Sequence, residues 1–67
     1  MTYGEKIRDL RKRAGLTQQR LGELCGYEGR SAEVAVQCWE HGRQMPRLEK
    51  VRALAQALRV DLDEVIP

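Results

Sequence analysis

Two short apolar stripes hinged on a glycine restrict this chain more than any other feature. Leu21, Leu24 and Cys25 recur at helical spacing before Gly26, and Ala32, Ala35, Val36 and Trp39 do the same after it. Each stripe covers one face of its helix, so two helices set at an angle can share one core. The outward face of the second helix is left with Glu33, Val34, Gln37 and Cys38: one acid, one amide and no Lys or Arg. A face kept only for solvation ordinarily carries many charges.

The flanking sequence supplies starts and stops for further helices. Thr2 with Glu5 reads as a capping box opening a helix over about Tyr3 to Ala14, with Gly15 as its stop. Leu16 and Leu21 bracket Thr17 as a hydrophobic staple around an N-cap, which sets the entry to the helix ending near Gly26. Glu28-Gly29-Arg30 reads as loop, with Ser31 capping the helix that carries Trp39. After Gly42, Arg43 to Arg47 form a loop bounded by Gly and Pro46. The spacing of Leu48, Val51, Leu54, Ala55 and Leu58 predicts a helix with those residues buried. Arg47 falls at its N-cap, where it can accept no bond from the helix amides and its charge opposes the dipole; that arrangement suggests an external anion. Asp61 with Glu64 reads as a second capping box for a last short helix bearing Leu62, Val65 and Ile66. The pattern is all-α, five helices in one domain over residues 1–67.

With 67 residues, 42% of them hydrophobic and no Phe, the core has to be aliphatic, and no second domain fits. The net charge of +2 is unevenly spread: residues 1–47 hold nine Lys/Arg against six Asp/Glu, and residues 48–67 hold three against four. The basic side is the side of the paired stripes. Two cysteines thirteen apart match neither a zinc spacing nor a disulfide framework, and no apolar run nears a membrane span. The expectation is a soluble cytoplasmic protein with reduced thiols.

The ordered set Leu16-Thr17-Gln18, Leu21, Gly26, Val36, Trp39-Glu40, Gly42 and Pro46 resembles the phage-repressor-like helix-turn-helix proteins, the Cro/CI or XRE-like family. The likeness runs from about Tyr3 to Ile66. It departs at one place: Gly26 to Trp39 spans thirteen steps, four more than is usual in the family, and the surplus falls within Tyr27 to Ser31. The resemblance implies a compact five-helix lambda-repressor-like domain whose helix-turn-helix carries a longer turn. It further implies a transcriptional regulator that binds double-stranded operator DNA with its third helix in the major groove. The residues then expected on DNA are Gln18, Arg30, Ser31, Glu33, Val34, Gln37, Cys38, His41, Arg43 and Arg47. Gln18, Arg30, His41, Arg43 and Arg47 would face phosphates, and Glu33, Val34, Gln37 and Cys38 base edges. The resemblance also places an ion pair between Arg11 and Glu40.

A homodimer is expected, with Leu62, Val65 and Ile66 of the last helix as the candidate interface and Leu62 read rather as closing the core; no cofactor, metal, membrane or small-molecule substrate is expected. An enzyme would need Cys25 or Cys38 as nucleophile and His41, the lone histidine, as base; none of the three is expected to be catalytic. The alternative to a lone regulator is an antitoxin or protein-interaction module that also binds its own operator.

Overall fold

The computed structural model describes all 67 residues as α1 (Tyr3–Arg13), α2 (Gln18–Leu24), α3 (Gly29–Glu40), α4 (Leu48–Leu58) and one 3-10 turn, Leu62–Glu64. The all-helical expectation holds, with four α-helices rather than five. Both N-terminal caps form as the sequence indicates. The Thr2 amide donates to Glu5 Oε1 at 2.9 Å, a bond that holds the Glu5 carboxyl below its ordinary pKa, and the Glu5 amide donates to Thr2 Oγ1 at 3.2 Å. At α2, Thr17 Oγ1 accepts from the Arg20 amide at 3.0 Å. Helix α2 ends at the expected glycine: the Tyr27 amide reaches back over Gly26 to the Gly22 carbonyl at 3.0 Å.

Helices α2 and α3 meet backbone to backbone. A Cβ on Gly22 would overlap the main chain of Ala32, so only glycine allows this approach. Ile7, Leu21, Val36, Leu54 and Val65 lie fully buried behind that contact, joined by Trp39. Tyr27 stacks edge-on against Trp39, ring centroids 6.1 Å apart, and Lys50 Nζ sits 4.9 Å from the Tyr27 ring centroid. The turn residue is thereby fastened to both α3 and α4.

Five local expectations are corrected. The surplus residues lengthen α3 instead of the turn: Glu28 is the extended N-cap, Gly29 enters at φ +54°, and Arg30 and Ser31 belong to the first helical turn. Ser31 therefore caps nothing. Glycine at position 29 permits the left-handed step with which the helix starts, about one turn early. Leu48 is 83% exposed, because it opens α4 beyond the edge of the core and the buried stripe begins at Val51. Leu24 also stands at the rim, exposed. The second capping box does not form: Asp61 makes no side-chain cap bond, and Glu64 Oε1 instead lies 3.6 Å from Lys6 Nζ.

Val65 is buried within its own chain, where Tyr3 Oη donates to its carbonyl at 2.6 Å, while Leu62 and Ile66 remain exposed. Burial pushes the Tyr3 phenol up to about 12.

Candidate nucleic-acid interface

At about 3.6 residues per turn, the side of α3 opposite Ala32, Val36 and Trp39 carries, in order around the axis, Glu33, Gln37, Arg30, Val34, Cys38 and Ser31. His41, the C-cap, continues the middle of this arc. Glu33 and Cys38 are half-buried and the others exposed. The structure thus brings the four expected base-facing residues together and adds Arg30 to them, so the face is not free of cations.

The arc has two unlike flanks. On one, Glu33 and His41 line a polar cleft with Arg8, Thr17, Gln18 and Gln19. On the other, Val34 and Cys38 share a shallow, largely apolar groove with Tyr27, Arg30 and Gln44.

Beneath the arc runs a chain of bonds from the core to the surface. Arg11 Nε donates to Glu40 Oε2 at 2.6 Å and Nη2 to Oε1 at 3.4 Å, a two-pronged pair with side chains only 11% and 2% exposed. Arg11 Nη1 also donates to the Leu16 carbonyl at 2.9 Å. Glu40 Oε1 accepts a third bond, from Gln18 Nε2 at 3.1 Å, and Gln18 Oε1 in turn accepts from Gln37 Nε2 at 3.2 Å. Every buried side-chain polar atom has a partner. Such satisfaction is what a desolvated ion pair requires.

The Gln18 side chain is therefore not the free phosphate-binding group that its place at a helix start suggested. It is half-buried and bonded at both ends, and it fixes Gln37 relative to Glu40.

Arg43 and Arg47 lie exposed on the loop after α3, and Arg47 caps α4 without a side-chain bond. Its guanidinium is 3.9 Å from Glu49, both side chains being largely solvated, a contact worth little. Arg8 of α1, exposed and not among the residues expected on DNA, lines the polar cleft beside Gln19 and His41. The available signal was spacing, since Arg8 precedes Arg11 by about one helical turn.

No group of three or more His, Cys, Asp or Glu is placed to hold a metal ion. Both thiols are free; Cys25 is 3% exposed, and desolvation pushes it up to about 11 against the opposing pull of Lys50. No helix is long and apolar enough to cross a membrane.

A family model described as a helix-turn-helix domain matches residues 2–65. The HTH-type transcriptional activator BcrR of Enterococcus faecalis is 32% identical over 66 residues, an alignment covering 98% of this chain and 30% of that protein. The chain thus spans less than a third of the length of this curated relative. No solved structure matches.

Proposed function

This chain belongs to the helix-turn-helix domain family, and on that premise we propose that it is a transcription regulator binding double-stranded DNA sequence-specifically, with α3 in the major groove. The observation that carries the reading is the outward arc of α3, where Val34 and Gln37 stand exposed beside Cys38 with no element packed over them. An amide can pair with the adenine edge and an apolar side chain can cover a thymine methyl. Arg8 on one side, with Arg43 and Arg47 beyond the helix end, supplies charge for the phosphate backbone. The similarity to a transcriptional activator supports the same class.

The reading is one of binding without catalysis. Cys25 is buried with its thiol pKa raised, the reverse of an activated nucleophile. Leu62 and Ile66, exposed near the chain end, are the proposed contact between two copies on half-sites about one helical turn apart; Val65, already buried, takes no part.

Selection of bound sequences from a random duplex pool tests the assignment. A defined, roughly palindromic site is expected. Gln37→Ala should weaken binding to it by about 1–3 kcal/mol and relax one base pair, whereas Arg43→Ala or Arg47→Ala should weaken all duplexes alike and lower the salt slope by about 1. A pool that yields no preferred sequence, or one unaltered by substitution at Val34, Gln37 and Cys38, removes α3 as the reading element.

A further inference from the structure

We propose that Arg30 reads a guanine about three base pairs from the pair met by Gln37, making the first turn of α3 part of the specificity surface; the inference rests on the DNA-binding reading above. Arg30 is the second residue of α3 and the only Lys or Arg in that helix. Around the axis it falls between Gln37 and Val34, at the middle of the exposed arc. A helix laid in a groove turns the middle of such an arc to the groove floor and its edges to the walls. Along the axis Arg30 precedes Gln37 by seven residues, about 10.5 Å at 1.5 Å per residue, or roughly three steps of 3.4 Å along the duplex.

The side chain is also uncommitted. It forms no ion pair and no hydrogen bond, although Glu33 lies three residues further on the same helix. Arg30 borders the apolar groove of Tyr27, Val34 and Cys38, a surface its methylenes can cover while the charged head reaches outward. The guanidinium fork suits the paired O6 and N7 acceptors of guanine, the commonest arginine contact in the major groove. Phosphate contacts have other donors, since Arg43 and Arg47 follow the helix and Arg8 stands across the polar cleft.

The test is selection from a random duplex pool with the parent, Arg30→Ala and Gln37→Ala, each confirmed as folded by helical circular dichroism, followed by affinities on the selected and on scrambled duplexes. Position 30 is exposed and alanine favours helix, so the variant keeps the fold. The expected result is a G·C pair in the parent consensus whose preference vanishes with Arg30→Ala alone, about three pairs from the one relaxed by Gln37→Ala. Affinity for the selected site should fall about tenfold or more, with little change on scrambled DNA. An equal loss on every duplex with a salt slope lower by about 1 would make Arg30 a phosphate contact and overturn the inference while leaving the DNA-binding reading intact. An unchanged consensus overturns it as well. A parent that selects no sequence overturns both together.

Discussion

Glu40→Gln tests the buried pair on which the interface rests. The substitution keeps the shape and removes the charge, leaving the Arg11 guanidinium, 11% exposed, without its counter-ion. The oxygen of the new amide can still accept from Arg11 Nε, but its NH2 group faces both Gln18 Nε2 and Arg11 Nη2, donor against donor, and only the conflict with Gln18 can be relieved by turning an amide. Gln18 can invert its amide to restore that bond, and then presents NH2 to Gln37, which is exposed and can invert in its turn. The amide conflict can thus be passed to the surface at small cost. The stranded charge cannot, and removing one partner of a buried pair costs about 3 kcal/mol or more. A domain of 67 residues has roughly 3–10 kcal/mol in total. At about 4–8 °C per kcal/mol, the melting temperature should fall by roughly 12–24 °C, measured by circular dichroism at neutral pH. Adding Arg11→Met removes the orphaned charge, so the double variant should lose clearly less than the two single losses combined. If Glu40→Gln melts within about two degrees of the parent, the pair is solvated and this account of the core is wrong.

Three further outcomes follow from the same geometry. Tyr3→Phe removes the bond to the Val65 carbonyl and should cost about 1 kcal/mol. Because burial raises the folded-state pKa of Tyr3 from 10.0 to about 12, the parent's Tyr3 contribution is complete below pH 10 and lost between pH 10 and 12; the difference between parent and variant in alkaline denaturation should shrink across that window. Gly22→Ala should destabilise by about 1–3 kcal/mol in urea unfolding, since the added methyl overlaps the Ala32 backbone; a stabilised variant, as alanine's helix preference alone would give, contradicts the close approach of α2 and α3. A thiol reagent should modify half-buried Cys38 in the folded protein and reach Cys25, 3% exposed with its thiol pushed up to about 11, only as the chain unfolds.

What the sequence disclosed depended on the distance between partners. The caps at Thr2 and Thr17 were legible because side chain and backbone partner lie three residues apart. The core stripe through Leu21, Val36 and Leu54 was legible because period alone assigns a face. Period does not say where the core ends, so Leu48, one turn before the first buried residue of α4, was wrongly placed inside. Gly29 reads as a loop residue in isolation, yet it takes the left-handed step that opens α3, so Arg30 and Ser31 join the helix. The Arg11–Glu40 pair spans 29 residues and was reached only through resemblance; the bond from Gln18 to Glu40, spanning 22, was not reached at all. Of the expected site residues, Arg30, Ser31, Glu33, Val34, Gln37 and Cys38 lie on α3 and His41 caps it, while Gln18 is held between Glu40 and Gln37, contacts that no local spacing announces.

The bonded series Arg11, Glu40, Gln18 and Gln37 has a consequence for how reading and stability divide. Gln37 lies on the exposed arc, yet its amide orientation is set by Gln18, whose own is set by Glu40. A base contact by Gln37 on the proposed interface would therefore come from a side chain already held, with less rotamer freedom to lose on binding. Glu40→Gln reverses the donor pattern along this series, so it should alter the donor and acceptor that Gln37 presents as well as the melting temperature. Changes at Glu40 and Gln37 should then be non-additive in affinity, as expected for members of one hydrogen-bond network, whereas changes at Glu40 and Arg47, which share no bond, should add. A double-mutant cycle on the selected duplex separates the two cases. Additivity for both pairs would mean that Gln37 orients freely once DNA is bound and that the series serves the fold alone.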